Sequence, residues 1–493
     1  MIFAKNDSQK GKIFHIPLGK NVLNLALFEK CMKFCEKEGT TMRDLTKGFP
    51  AKLIFLFTIP LLVGNIFQQF YNMVDMIIVG QTLGKEALAA VGSTGSITFL
   101  IIGFAQGLST GLSIITAQRF GAKDYRRVRR SFAVSVVISL IVTVILTVAS
   151  LLLIDPLLHV MQTPSDIYDQ AKEFITIILG GMFASMAFNL LSNMIRALGD
   201  SRTPLFFLIF AVIINVVLDL LFIINFQMGV AGAAWATIIA QLASSVMCYL
   251  YILKKIPLLQ LKKRDFYVRK SEYKLHFNAG LPMAFQTSII AIGTVILQAA
   301  LNSLGTDVVA AQAAASRIDQ FATQPMNSFG LAMATFTGQN FGAKQYRRIL
   351  TGVKQCLIMS ISFSLVAGFV VITFGQNFVS LFVNPSETHV FHLAQLYFNV
   401  NGSLYWVLAI LFILRYTLQG LGQAKVPTIA GMMELIMRSF AAIFLTQLFS
   451  YAGAVWASPL AWAGSVAVLL YSYLKAIKVL RKLAETHETE LTE

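Results

Sequence analysis

Phe120-Gly121-Ala122-Lys123-Asp124-Tyr125-Arg126-Arg127 recurs, almost unchanged, as Phe341-Gly342-Ala343-Lys344-Gln345-Tyr346-Arg347-Arg348. Lys344 lies 221 positions after Lys123. The same offset aligns Leu83-Gly84 with Leu304-Gly305 and Ala89-Ala90 with Ala310-Ala311. It also aligns Ala231-Gly232-Ala233 with Ala452-Gly453-Ala454, and Trp235-Ala236 with Trp456-Ala457. Around Gly199 and Pro204 it drifts to 223, where they meet Gly422 and Pro427. Chance likeness among apolar segments would not hold one register through polar loops, so the chain reads as an internal duplication.

Outward from those loops, each copy contains six apolar stretches. A helix needs about twenty apolar residues to cross the hydrocarbon core. That window gives twelve candidate spans, near 50–79, 87–117, 131–154, 168–195, 204–226, 229–253, 277–303, 307–337, 351–379, 391–420, 426–449 and 452–475. The expected fold class is all-α integral membrane: twelve transmembrane helices as two six-helix repeats forming two lobes around a central cavity. An even number of spans per copy inserts both copies the same way, so the lobes are related by an axis along the membrane normal. Composition agrees. Of 493 residues, 56% are hydrophobic and 13% charged, against about 25% charged in a soluble protein.

The remaining charge is basic, 40 Lys+Arg against 24 Asp+Glu. Arg119, Lys123, Arg126, Arg127, Arg129 and Arg130 follow span two. Arg196 and Arg202 follow span four, and a Lys/Arg-rich stretch follows span six. Lys344, Arg347 and Arg348 follow span eight, and Lys425 follows span ten. The alternate loops hold chiefly Lys85 and Lys172. The positive-inside bias puts both termini in the cytoplasm of a multi-pass protein of the plasma (inner) membrane. It also accounts for the basic balance without a nucleic-acid partner. The expected division is 1–45 as a cytoplasmic extension (with Met42 reading as a natural start), 46–254 as the first lobe, 255–275 as a basic cytoplasmic linker, 276–480 as the second lobe and 481–493 as a tail. The linker is expected to be solvated, with some attraction to anionic lipid. No long apolar core precedes a small-residue cleavage site, so no signal peptide is expected.

Several chemistries find no support. Cys31, Cys35, Cys248 and Cys356 have no His or Cys cluster beside them, and the six histidines are scattered. There is no G-x-x-x-x-G-K-[ST] loop for ATP and no H-E-x-x-H. Gly107-Leu108-Ser109-Thr110-Gly111 matches G-x-S-x-G, but it lies mid-span with no strand before it. Neither an enzyme nor a cofactor is expected. Gly103, Gly107 and Gly111 read instead as a small-residue stripe for close helix packing.

A charge at the centre of a span costs roughly 2.5–3.5 kcal/mol, so each such residue is a functional candidate. In the first lobe these are Asp75, near the outer end of span one, and Asp219, in the outer part of span five. Asn215 is one turn from Asp219 on the same face. Thr237 in span six is near that level, and Asn189 lies deeper. Two carboxylates in one apolar cavity can exchange a proton or hold a Na⁺ through several oxygens, which suits an ion-coupling site. The competing reading is structural: a helix cap at Asp75, a backbone-satisfied Asp219. The second lobe does not repeat the pair: Asp75 aligns with Ile296, Asn215 with Arg438 and Asp219 with Ala442. It carries Arg317, Asp319, Arg415, Glu434 and Arg438, read as a polar network that is either structural or substrate-facing. Glu434 and Arg438, spaced i,i+4, are expected to pair. Pro60 and Pro282, early in spans one and seven, are candidate bending points.

Pro60, Tyr71-Asn72-Met73-Val74-Asp75, the two Phe-Gly-Ala-Lys loops, Arg196-Ala197-Leu198-Gly199-Asp200, Asn215 through Asp219, Ala231-Gly232-Ala233 and Gly280-Leu281-Pro282 together resemble the MATE (multidrug and toxic compound extrusion) family, across roughly residues 43–480. The resemblance implies two six-helix lobes and export of amphipathic, often cationic, drug-like compounds in exchange for H⁺ or Na⁺. It implies no cofactor beyond that ion and a monomer working in the bilayer. It carries the family's first-lobe cation site onto Asp75, Asn189, Asn215, Asp219 and Thr237, with a Na⁺ held at Asp75 and Asp219 if that is the ion. One branch has a glutamate in the middle of span seven. Here that stretch is Gln286-Thr287-Ser288-Ile289-Ile290, closer to the DinF-like and related branches. The alternative is a lipid-linked saccharide flippase of the same broader fold, which needs a cationic cavity for a pyrophosphate head.

Overall fold

The structure, a computed structural model, describes residues 44–161, 163–380, 383 and 387–492. Most of the expected extension, with Cys31 and Cys35, lies outside them. Among the described residues every regular element is helical. The first copy comprises α1 (Pro50–Leu83), α2 (Lys85–Gly121), α3 (Tyr125–Leu152), α4 (Tyr168–Gly180 and Met182–Ala197, bent by 44°), α5 (Arg202–Asn225) and α6 (Gly229–Lys255). The second comprises α7 (Lys270–Asn302), α8 (Thr306–Gly342), α9 (Tyr346–Val379), α10 (Thr388–Ser403 and Tyr405–Gly420, bent by 49°), α11 (Lys425–Phe449) and α12 (Tyr451–His487). Among the described residues nine helices are long and apolar enough to cross a membrane alone, and eleven when each bent pair counts as one span. The twelfth is α8. It has the length, 37 residues, but its first half carries Gln312, Arg317, Asp319, Gln320 and Gln324.

The duplication is written in the backbone as well as the sequence. Lys123 and Lys344 both sit at φ 58°, and Gln227 and Ser450 both at 54°. Gly84 and Gly305 have φ 89° and 102°, and Gly199 and Gly422 have 89° and 83°. These are left-handed positions that L side chains seldom adopt, so their coincidence marks shared turns. Both Phe-Gly-Ala-Lys loops close a helix with the same pair of backbone bonds: Lys123 N to Phe120 O (2.9 Å) and Asp124 N to Arg119 O (3.1 Å), against Lys344 N to Phe341 O (3.1 Å) and Gln345 N to Asn340 O (2.9 Å). That double closure satisfies carbonyls a helix end leaves without intrahelical donors. Asp124 then caps α3 by accepting from Arg127 N at 3.0 Å.

Side-chain burial separates lipid-type from lobe-type faces. Leu140, Leu152 and Phe369 are 63%, 76% and 66% exposed, an apolar surface that suits acyl chains and not water. Phe336, Phe398 and Tyr405 fill the second lobe's core. The two lobes meet where α2 crosses α7. A Cβ added at Gly107 would stand 2.5 Å from the Met283 carbonyl oxygen, and one at Gly111 2.6 Å from that of Ala279. The glycine stripe therefore serves backbone contact, and Ser109 within it is buried, donating to the Ala105 carbonyl at 2.9 Å. Both α1 and α7 run unbroken through their prolines, and the Pro282 carbonyl accepts from Thr428 Oγ1 at 2.8 Å.

The stretch between the copies is only partly the solvated loop its composition suggests. Lys262, Lys263 and Arg264 are exposed. Leu259 and Asp265 are buried; Asp265 accepts from Lys262 N at 2.9 Å and lies 3.9 Å from Arg129. Outside the basic end, Lys172 is paired with Asp155 at 2.6 Å, which offsets one of the two exceptions to the charge bias.

Candidate functional site

The path of α1 and α5 places the first-lobe carboxylates together. Both helices start at the end holding the Phe-Gly-Ala-Lys loops. Asp219 lies about 25 Å along α5 at 1.5 Å per residue, and Asp75 lies in the far half of α1. There the two carboxyls are close enough to interact with one another. Asp219 is fully buried and Asp75 half-buried. Each keeps one buried oxygen, Oδ1, with no hydrogen-bond partner. Asn215, one turn before Asp219, is also fully buried. With its amide turned so that the nitrogen faces the carboxyl, it donates to Asp219 Oδ2 at 2.9 Å and accepts from the Thr237 backbone N–H at 3.3 Å.

Tyr71 completes the group, and the reading of the sequence as charges did not single it out. Its hydroxyl donates to Thr237 Oγ1 at 3.1 Å. The available signal was its position, one turn before Asp75 on the same face of α1. Asn189 is not drawn in by hydrogen bonds: its amide donates to the Ser185 carbonyl of its own helix at 2.8 Å. The assembled set is two carboxyls, one carboxamide and two hydroxyls, all oxygen donors apart from the amide nitrogen. Oxygen-rich sets hold hard cations, while a carboxyl pair sharing one proton relieves the repulsion of two buried charges. Among the described residues no group of three or more His, Cys, Asp or Glu is arranged around a metal position.

The second-lobe charges divide into separate arrangements. Glu434 pairs with Arg415 of α10 and not, as its spacing suggests, with Arg438. Arg415 reaches Glu434 from a different helix, and Arg438, on Glu434's own helix, is left as the buried arginine with no carboxylate partner among the described residues. Arg415 also donates to Ser465 Oγ at 3.4 Å. Arg438 is buried beside Gly293 of α7, with Nε unpartnered. Asp319 accepts from Tyr405 Oη at 2.6 Å, with Tyr397 nearby. Arg317, two residues earlier, is exposed and outside this cluster. Gln286, at the place of the other branch's glutamate, accepts from Gln419 Nε2 at 3.0 Å.

The MatE family model matches the chain in two segments, residues 60–221 and 282–445, one in each copy. The chain belongs to the MatE family. Among its relatives, the probable multidrug resistance protein YpnP of Bacillus subtilis is 29% identical over 349 residues, 71% of this chain and 78% of that one. The probable multidrug resistance protein NorM of Thermotoga maritima is 24% identical over 425 residues, 85% of this chain and 90% of that one. A MATE protein crystallised in complex with MaL6 superposes with a TM-score of 0.83 at 25% identity, over 90% of this chain and 99% of the other. The MatE membership, the apolar spans and the two-lobe architecture make this an integral membrane protein of the multidrug-transporter type.

Proposed function

We propose that this MatE protein is a secondary active antiporter that exports amphipathic, cationic or neutral compounds in exchange for H⁺ or Na⁺. The observation that carries the proposal is the buried Asp75/Asp219 pair, with its unpartnered Oδ1 atoms and its Asn215 and Thr237 neighbours. A membrane-embedded carboxyl pair is costly to keep unless it binds something, and a proton or a Na⁺ neutralises it. On this reading the ion enters the first lobe from outside. Neutralisation relaxes the repulsion between α1 and α5, the segment of α1 beyond Pro60 shifts, and the compound leaves outward. The emptied carboxylates favour the inward-facing state, which collects the next compound from the cytoplasm or inner leaflet.

The positive-inside bias supports a cytoplasmic position for both Phe-Gly-Ala-Lys ends, and on this reading the two lobes, 46–254 and 276–480, rock about the duplication axis. Asp319, Arg415 and Glu434 are assigned to holding the second lobe together, while Arg317 and Arg438 stay open between a structural and a substrate-facing role. The flippase alternative would need free cations for a pyrophosphate; Arg415 is committed to Glu434 but Arg317 and Arg438 are not, and what weighs against it is the acidic pair Asp75 and Asp219 in the first lobe.

Asp219→Asn should abolish ion-driven efflux from everted vesicles under an imposed ΔpH or ΔpNa while the protein remains in the membrane. Full export by that variant would sink the proposal. Running the two gradients separately identifies the ion.

A further inference from the structure

At the cytoplasmic end the two lobes are joined by a contact that obeys the duplication itself. Gln118 of α2 donates from Nε2 to the Gly420 carbonyl at the end of α10, at 2.9 Å. Its counterpart 221 positions on, Gln339 of α8, donates from Nε2 to the Ala197 carbonyl at the end of α4, also at 2.9 Å. Ala197 and Gly420 correspond at the offset of 223 that governs this part of the repeat. Each glutamine therefore reaches from its own lobe into the other, and the two bonds are images of one another.

The acceptors are free for a physical reason. Both α4 and α10 end in the same turn: Gly199 N bonds Arg196 O (2.8 Å) and Asp200 N bonds Ile195 O (3.4 Å), against Gly422 N to Gln419 O (2.8 Å) and Gln423 N to Leu418 O (2.9 Å). That turn satisfies some terminal carbonyls and leaves those of Ala197 and Gly420 to find a donor elsewhere. The helices approach closely enough for the reach. A Cβ added to Gly121 would overlap the Gln339 carbonyl, and one added to Gly342 would overlap that of Gln118. On the duplication axis, a Cβ added to Gly338 would lie 3.2 Å from that of its own counterpart, Ala117. A third tie is asymmetric. Leu45, just before α1, donates its N–H to Gln339 Oε1 at 3.0 Å, and its carbonyl accepts from Asn340 Nδ2 at 3.2 Å and from Arg348 at 3.1 Å.

We propose that Gln118 and Gln339 form a two-fold clasp that seals the cytoplasmic side and must open for the inward-facing state. Both bonds cross the lobe boundary, so any rocking that parts the cytoplasmic ends breaks them together. The closed state gains both bonds at once, and their strength sets how often the cytoplasmic side opens. Beside the clasp is a cavity lined by Phe57, Thr110, Asn193, Arg196, Ala334 and Thr335, and its wall includes Ala197, whose carbonyl accepts from Gln339. The inference rests on the alternating-access reading, so its main test needs no transport.

In inside-out vesicles, a Thr335→Cys reporter is exposed to a membrane-impermeant maleimide, and modification at position 335 is read by peptide mass spectrometry. Adding Gln118→Ala or Gln339→Ala should each raise the labelling rate, roughly two- to tenfold for loss of one hydrogen bond. The double replacement should raise it further. Unchanged labelling in the double variant overturns the clasp. The converse experiment guards against misfolding of those variants. Ala117→Cys with Gly338→Cys brings two Cβ atoms near disulfide distance. Oxidation should stop efflux and reductant should restore it; undiminished efflux by the cross-linked protein also overturns the clasp. If the unmodified chain exports nothing, the antiporter reading fails, while the labelling result still judges the clasp.

Discussion

Glu434 illustrates what a single residue's neighbours in sequence can and cannot reveal. Its charge within an apolar run is legible, and so is the need for a partner. The partner is not, because i,i+4 spacing is a rule about one helix and Arg415 lies 19 residues away on another. Both side chains are nearly inaccessible, at 7% and 6% exposure. Removing one charge from such a pair strands the other, at a cost of about 3–5 kcal/mol, whereas replacing both with apolar groups is close to neutral. Glu434→Gln should therefore lower the thermal unfolding midpoint of the detergent-purified protein sharply, and Glu434→Leu combined with Arg415→Met should recover much of the loss. Equal damage from the single and the double variant would mean that the pair does more than neutralise itself. The first-lobe acids were legible for the same reason, as charges where lipid-spanning sequence should have none. Tyr71 entered only as part of a motif, and the two glutamines not at all, since uncharged polar residues in or near a span carry no assignable role until a partner is in view. For Gln118 and Gln339 the repeat offset alone could have raised the question.

Whole helices depend on backbone approach where side chains would get in the way. The Gly103, Gly107, Gly111 stripe was readable as a packing face, but its partner was not, because a four-residue period names a face and leaves the opposing helix open. The structure supplies α7, with carbonyls of Ala279 and Met283 against the stripe. Gly111→Ala must push α2 and α7 apart or distort one of them, an overpacking cost of about 1–3 kcal/mol. Gly92, also helical, has nothing within 4 Å of an added Cβ. Gly92→Ala should be neutral or stabilising by up to about 1 kcal/mol, since alanine loses less backbone entropy on folding. Thermal midpoints of the two purified variants, measured side by side, separate close packing from a general intolerance of glycine replacement. Helix α8 makes the complementary point. Its first half is too polar for a hydropathy window to recognise with ease, and its place as a span is secured by the register of the repeat around Gly305 and Gly342.

Over the whole molecule the duplication and its breakage divide the work. The paired Phe-Gly-Ala-Lys loops, the paired turns at Gly199 and Gly422 and the paired glutamines lie at one end, the cytoplasmic one on the proposed topology, while the paired turns at Gly84 and Gly305 and at Gln227 and Ser450 lie at the other. The carboxyl pair sits in one lobe only, with Ile296 and Ala442 at the matching positions. If the carboxyl pair is the ion site proposed above, ion binding biases one lobe's packing while the symmetric contact carries the result to both. The charge balance of a cycle follows. If one proton enters for each compound that leaves, a neutral compound leaves a net charge of +1 moved inward, and an inside-negative potential drives the exchange. The potential then contributes about 2.3 kcal/mol per 100 mV, enough for an approximately fifty-fold gradient. A monovalent cationic compound cancels the proton's charge, and the potential contributes nothing. Proteoliposomes given equal ΔpH, with and without a valinomycin-set potassium potential, should export a neutral amphiphile faster when the proton-accepting side is negative, and a monocation at the same rate in both. A monocation whose export also accelerates would show that more than one ion moves per cycle, which a single carboxyl pair sharing one proton does not provide.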